Sequence, residues 1–150
     1  MNLHLTRIAT AMTLAAALAS PAVLAAPPGD AAQATADFFA RMSARDLPGV
    51  SRYLPAGGFS EFLPDAKDLL QLDGKAFEGL FSSGKQVELR VADVKLQSFG
   101  EVSVVTGTRL GGIAAPGAAV PQGRLAFTMV WQRDGDAWLL RHIHLSAQPL

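Results

Sequence analysis

Residues 125–146 read LAFTMVWQRDGDAWLLRHIHLS, two apolar and aromatic runs separated by the dipeptide Asp134-Gly135. Apolar side chains recur at every second position in the first run, and Asp-Gly between such runs is typical of a tight β-hairpin. We therefore predict two antiparallel strands, Leu125 to Gln132 and Ala137 to Leu145.

Two further strands are predicted upstream of this hairpin. Val87 to Phe99 begins with apolar and charged residues in alternation, and Val102 to Leu110 is rich in β-branched residues after a turn at Gly100-Glu101. Residues 111–122 contain Gly, Ala and Pro but no charge, so we predict a mobile hairpin loop there.

Three helices are predicted before these strands. Asp30, Asp46 and Asp73 are suitable N-caps for helices that reach about Arg45, Leu54 and Phe81. Residues 55–72 show no clear periodicity and are predicted to be irregular. Because the helices precede the strands and do not alternate with them, the predicted fold class is α+β with a curved antiparallel sheet.

The first 25 residues have the features of a secretory signal peptide. Arg7 precedes the apolar run Ile8–Ala19, Ser20-Pro21 interrupts it, and Ala25 is a suitable residue before a cleavage site. We predict cleavage after Ala25, an extended tail over 26–29, and one domain over 30–150 that is periplasmic or secreted. An uncleaved anchor is the alternative, although the run is short for a membrane-spanning helix.

The composition narrows the possible partners and cofactors. Removal of Arg7 with the leader leaves 12 bases against 13 acids, which gives no electrostatic support for nucleic-acid binding. The chain has no cysteine, so the exported domain is predicted to fold without disulfides. No nucleotide-binding, phosphate-binding or nucleophile motif is found, and no cofactor is predicted.

Four short motifs, in this order and spacing, resemble a known family: DGKAF at 73–77, FGEV at 99–102, WQRDGDAW at 131–138 and HIHLS at 142–146. The chain resembles the SnoaL-like branch of the nuclear-transport-factor-two-like superfamily. Its closing strand is most similar to that of the calcium/calmodulin-dependent kinase association domains and the SgcJ/EcaC group. The resemblance implies three helices wrapped by a curved sheet, a pocket between them and usually a dimer. It does not choose between the enzymes, assembly domains and pocket proteins of the superfamily.

The last hairpin allows two registers that orient its histidines in opposite directions. A two-residue turn at Asp134-Gly135 places Trp138, Leu140, His142 and His144 on the inner face with Trp131. A three-residue loop instead places Ala137, Leu139, Arg141, Ile143 and Leu145 there. We favour the three-residue loop because it buries more apolar residues. It leaves an outer face for a homodimer that contains Trp138, His142 and His144.

In the favoured register, a small-molecule pocket is predicted on the inner face. Its candidate ligand-binding residues are two arginines that suit an anion and three large apolar residues: Arg109, Arg141, Met129, Phe127 and Trp131. The association domains that the chain resembles carry a pocket arginine at the Arg109 position, and further arginines at the positions of Met129 and Leu145. The alternative for each arginine is an ion pair with an acid such as Glu61 or Asp93.

Glu61 and His144 are the candidate catalytic residues. Glu61 lies among Phe59 and Phe62, and aromatic surroundings would raise the pKa of its carboxyl group, although a surface loop acid is the alternative. His142 and His144 share one strand face, but a third metal ligand is not identifiable, so no metal site is predicted.

Three functions remain open from the sequence. The first is an exported pocket protein that binds a small apolar or weakly anionic molecule. The second is an isomerase, cyclase or dehydratase with Glu61 or His144 as the base and Arg109 as the anion stabiliser. The third is a homodimeric assembly domain.

Overall fold

The computed structural model describes residues 29–148, and the predicted signal peptide lies outside these residues. The three predicted helices are confirmed as α1 (Ala31–Ala44), α2 (Leu47–Ser51) and α3 (Gly74–Ser82). The carboxylates of Asp30, Asp46 and Asp73 each accept a hydrogen bond from a backbone N–H three residues later. Each helix therefore begins where its capping residue predicts.

The helices pack against one curved, unclosed sheet of six strands, with the spatial order β2-β1-β6-β5-β4-β3. The strands are β1 (Phe59–Phe62), β2 (Leu70–Leu72), β3 (Gln86–Phe99), β4 (Val102–Ala114), β5 (Arg124–Asp134) and β6 (Ala137–Ala147). The α+β prediction is confirmed. The prediction that residues 55–72 are irregular is wrong, because β1 and β2 form there.

The four residues of β1 have no clear strand pattern in the sequence, and β1 forms because it pairs with β2 and β6. It is antiparallel to β2 and parallel to β6, with Glu61 opposite Ile143 and Phe62 opposite His144. The predicted loop over 111–122 is also too long, since β4 continues to Ala114. Gly111 in this extension has a φ of 88° and donates its N–H to the carbonyl of Gly123.

A bulge in β3 bends the edge of the sheet. The pairing with β4 shifts between Ala92 and Lys95, and Asp93 there has a φ of 54°. An extra residue on one strand increases the local twist and turns the following segment away. The bulge helps the long β3–β4 hairpin to curve around the helices.

A second bulge, in β6, gives the last hairpin a register that differs from both predicted registers. The turn residues are Gly135 and Asp136, and Trp131 lies opposite Leu140, whereas Val130 lies opposite His142. Arg141 is therefore an extra residue in β6, and after it the side chains that point to the inner face are shifted by one position. Because of it, one strand buries both Trp138 and Leu140 before the bulge and Ile143 and Leu145 after it. Neither uniform register could bury all four side chains, and the burial of apolar area favours the bulge.

The core lies between α1 and the inner face of the sheet, the face that carries Phe127, Met129 and Trp131. Phe38 of α1 is fully buried at the centre and makes edge-to-face contacts with Tyr53, Phe59, Phe77 and Trp131. Such contacts suit the opposite charges of ring edges and ring faces. Within residues 29–148, no helix has both the length and the hydropathy of a membrane-crossing helix.

Candidate functional site

A cavity of about 430 Å³ opens at one end of the core, between α1, α3 and the inner face of the sheet. Its wall is mostly aliphatic and aromatic, with three charged side chains among the apolar ones. The lining residues are Phe38, Phe39, Met42, Phe59, Glu61, Leu63, Leu72, Ala76, Phe77, Leu80, Lys85, Leu89, Arg109, Ile113 and Ile143. This size and this mixture are typical of small-molecule sites.

Glu61 reaches the cavity from β1, the short strand that was not predicted. Alternation along this strand directs Phe59 and Glu61 inward, while Ser60 and Phe62 lie on the outer face. Burial raises the pKa of the Glu61 carboxyl, and the positive charge of Arg109 partly opposes that rise. Glu61 thus shares the cavity wall with Phe59, whereas Phe62 lies on the opposite face of the sheet, and the role of Glu61 remains a prediction.

Arg109 reaches the same cavity from β4, where it pairs with Val91 on one side and Leu125 on the other. Burial lowers the pKa of its guanidinium, and Glu61 has the opposite effect. Among the described residues, Arg109 Nε is a buried side-chain nitrogen with no hydrogen-bond partner. A buried N–H without an acceptor is costly, so a ligand that reached this nitrogen would relieve that cost.

Glu61 and Arg109 both line the cavity without forming a salt bridge. Within the part of the chain that the structure describes, their charged atoms do not meet within 4.0 Å, although each affects the pKa of the other. The ion pair considered as the alternative for Arg109 is therefore not formed in direct contact.

The three large apolar candidates of β5 do not line the cavity. Phe127, Met129 and Trp131 lie on the inner face as predicted, but α1 covers them and they form the core. Trp131 Nε1 donates to Thr35 Oγ1 at 2.9 Å, and Phe127 packs against Phe39. The sequence identified their face correctly, but it could not show how far α1 extends over that face.

Arg141 is not a pocket residue. It is the extra residue of the β6 bulge, its side chain is exposed, and its Nε donates to Gln132 Oε1 at 2.9 Å on the outer face. The prediction of two guanidiniums in one pocket is therefore wrong. Only Arg109 of the pair reaches the cavity, because the uniform register on which the prediction depended is interrupted at Arg141.

His142 and His144 lie on the outer face of the sheet, as the favoured register predicted. His142 Nδ1 is 2.8 Å from Ser60 Oγ, and the ring of His144 stacks on Phe62 with 5.8 Å between the ring centres. The sheet separates His144 from Glu61 and Arg109, so His144 cannot act on a molecule in this cavity.

Trp138 departs from the predicted outer face. Its side chain is 7% exposed and belongs to the core cluster, and the guanidinium of Arg133 lies 5.5 Å from the centre of its ring. Residues 29–148 also contain no group of three or more side chains arranged to hold a metal ion.

Most of the cavity wall was not predicted as functional. Many residues separate Arg109 from Phe59, Phe77 and Leu80. From the sequence, each of these three apolar residues is expected to be an ordinary core residue. The spacing of Phe77 and Leu80 on one face of α3 was the available signal. That spacing indicates a buried face without showing whether side chains or a ligand fill the space beside it.

Comparison with known proteins identifies the family. The family profile of the SnoaL-like domain matches residues 31–150, and no curated protein matches the chain. The chain belongs to the SnoaL-like domain family.

Solved structures show the same fold at low identity. An NTF2-like protein of unknown function in nutrient uptake from Rhodospirillum rubrum has a TM-score of 0.65 and 22% identity, with 80% of this chain and 99% of that chain covered. A proposed dehydratase of the NTF2-like family from Streptomyces avermitilis has a TM-score of 0.64 and 21% identity, with 78% of this chain and 92% of that chain covered. The CaMKII hub of S. rosetta has a TM-score of 0.60 and 21% identity, with 81% of this chain and 99% of that chain covered. At these identities, the similarities show a shared fold alone.

Proposed function

We propose that the protein is an exported pocket domain that binds a small molecule with an apolar body and one anionic or hydrogen-bond-accepting group. The observation that carries this proposal is a cavity of about 430 Å³ lined by Arg109, whose buried Nε has no hydrogen-bond partner among residues 29–148. The apolar body would contact the aromatic wall, and the polar group would accept from Arg109.

Binding of N-phenyl-1-naphthylamine, a neutral dye that fluoresces in apolar surroundings, tests whether the cavity is accessible. Ala76→Trp should fill the cavity from α3 and reduce the fluorescence, since Ala76 is a lining residue. Ala40→Trp is the matched control, because Ala40 is an exposed helical alanine of α1 that does not line the cavity. Equal binding by both variants, or no binding by the natural protein, would contradict the proposal.

Export is the part of the proposal that depends on the leader alone. Expression of the full chain should yield a secreted or periplasmic product whose first residue is Ala26, as measured by intact mass. Replacing Leu14 and Leu18 by Arg within the apolar run should retain the protein in the cell. A product that keeps residues 1–25 would support the uncleaved anchor instead.

A second candidate function is acid–base catalysis, and the raised pKa of Glu61 beside Arg109 favours it. Glu61 would remove a proton from a carbon next to a carbonyl, and Arg109 would stabilise the enolate oxygen. Exchange of these protons of 2-tetralone for deuterium, followed by NMR, tests this. Glu61→Gln should abolish the exchange, whereas Glu78→Gln at an exposed position of α3 should retain it.

A third candidate function is homodimeric assembly through the outer face. Phe99 is 65% exposed and Val102 is 38% exposed where the β3–β4 hairpin ends, and both lie on the same face as His142 and His144. Val102→Asp should lower the mass measured by sedimentation, whereas Glu101→Asp nearby should not. A natural protein that sediments as a monomer at high concentration would exclude this function.

A further inference from the structure

We propose that the cavity binds an amphipathic monocarboxylate together with one proton, with the ligand carboxylate on Arg109 and the proton on Glu61. This inference depends on the proposed pocket function, to which it adds the chemical class of the ligand and a coupling to pH.

The carboxylate is assigned from the geometry at Arg109. A guanidinium presents Nε and Nη donors in one plane, which matches the two oxygens of a carboxylate. In the described part of the chain, Arg109 Nε has no acceptor, so a ligand carboxylate that reached it would displace no existing bond. The aromatic and aliphatic wall around it would leave a second buried charge unsolvated, which favours a single carboxylate on an apolar body.

The charges that face the cavity are few. Glu61 lies on β1, Arg109 on β4, and Lys85 is an exposed residue in the turn between α3 and β3. The lining residues from α1, α3, β2, β3 and β6 are all apolar. A carboxylate on Arg109 would therefore share the cavity with one other anionic group, Glu61.

The coupling to a proton follows from this arrangement. In the free protein, the charge of Arg109 stabilises the Glu61 carboxylate across the cavity. A ligand carboxylate neutralises Arg109 and places a second carboxylate near the first, and two carboxylates in one site favour protonation of one of them. Glu61 then takes a proton from solvent, and its carboxyl group becomes a donor that can bond to the ligand oxygen. No covalent bond of the ligand changes.

Calorimetric titration with 3-phenylpropanoate tests the inference, with the neutral 3-phenylpropan-1-ol in parallel. Both probes are titrated in buffers of different ionisation enthalpy between about pH 5.5 and 8.5, where a simple carboxylate with a pKa of about 4.3 stays ionised. The acid should bind with uptake of up to one proton. Its affinity should be highest at low pH and weaken as pH rises, by at most about tenfold per unit. The alcohol should take up no proton.

Glu61→Gln keeps the shape of the side chain but cannot titrate. It should bind 3-phenylpropanoate without proton uptake and with an affinity that does not change over this pH range, while Glu78→Gln should behave like the natural protein. Arg109→Met should weaken the affinity for 3-phenylpropanoate more than the affinity for 3-phenylpropan-1-ol. Alcohol binding by each variant shows that its cavity is intact.

The outcomes separate the two levels of the proposal. Acid binding by the natural protein without proton uptake, with the same pH profile as Glu61→Gln, overturns the proton-coupled inference and leaves the pocket function standing. Failure of the natural protein to bind either probe contradicts both.

Discussion

The indole Nε1 of Trp131 donates a hydrogen bond of 2.9 Å to Thr35 Oγ1, joining the middle of β5 to α1 at a fully buried point. The same hydroxyl donates to the carbonyl of Ala31 at 2.8 Å. One threonine therefore satisfies the indole N–H inside an otherwise apolar core, and it holds α1 over the inner face of the sheet beside the cavity.

Replacement of this threonine should destabilise the fold without changing the core volume. Thr35→Val leaves the buried indole N–H without an acceptor, which should lower the free energy of unfolding by about 1–3 kcal/mol. Urea unfolding followed by tryptophan fluorescence measures the change. Thr128→Val, on the half-buried outer face of β5, is the control and should change it little. Equal effects would mean that the Trp131–Thr35 bond contributes nothing specific.

Two adjacent glycines before β1 should respond differently to alanine. Gly58 has a φ of 74°, and a Cβ there would lie 2.1 Å from the carbonyl oxygen of Leu72. Gly58→Ala should therefore lower the free energy of unfolding by about 1–3 kcal/mol or more, and it should disturb the strand that carries Glu61. At Gly57 a Cβ meets nothing within 4 Å and the φ is not positive, so Gly57→Ala should be nearly neutral. Urea unfolding of both variants distinguishes them.

The single tyrosine of the chain gives a direct spectroscopic test of the α1–α2 packing. Burial raises the pKa of the Tyr53 hydroxyl, and its 2.6 Å hydrogen bond to Asp37 Oδ2 adds to this effect. The ultraviolet absorbance of phenolate should appear near the ordinary pKa of about 10 in urea but at higher pH in the folded protein.

The sign of the linked stability follows from the same shift. The folded state holds the phenol proton more tightly, so the contribution of Tyr53 is present below the unfolded pKa of about 10 and is lost as pH rises above it. Asp37→Asn should reduce the shift without abolishing it, because burial is the larger cause. A folded protein that titrates at the same pH as the urea-unfolded chain would show that Tyr53 is not buried against Asp37.

Glu61 should make the folded protein less stable at neutral pH than it is in mild acid. Burial raises the pKa of its carboxyl in the folded state, so its contribution to stability is greatest below the unfolded pKa of about 4.3. This contribution is lost as pH rises through the folded pKa. Glu61→Gln should match the natural protein near pH 4 and exceed its unfolding free energy at pH 8. Glu88→Gln, at an exposed position of β3, should show no such divergence between the two pH values.

Local patterns in the sequence predicted the helices and the four long strands. Asp30 and Asp73 begin helices because a carboxylate accepts from the N–H groups three residues on, and this interaction needs no distant partner. The alternation of Phe127, Met129 and Trp131 likewise predicted their common face, since side chains of a strand alternate between its two sides. Glu61 was proposed from its aromatic neighbours in sequence, and Arg109 from the resemblance to the association domains.

The tertiary structure alone determined which of these residues meet. β1 has four residues, too few for a clear pattern, and it joins the sheet only because β6 offers a parallel edge that brings Glu61 opposite Ile143. The extra residue at Arg141 arises because the core can then bury Trp138 and Leu140 as well as Ile143 and Leu145. Burial is shared among elements distant in sequence, so the packing of the whole domain, and not the local pattern, places Arg109 in the cavity and Arg141 outside it.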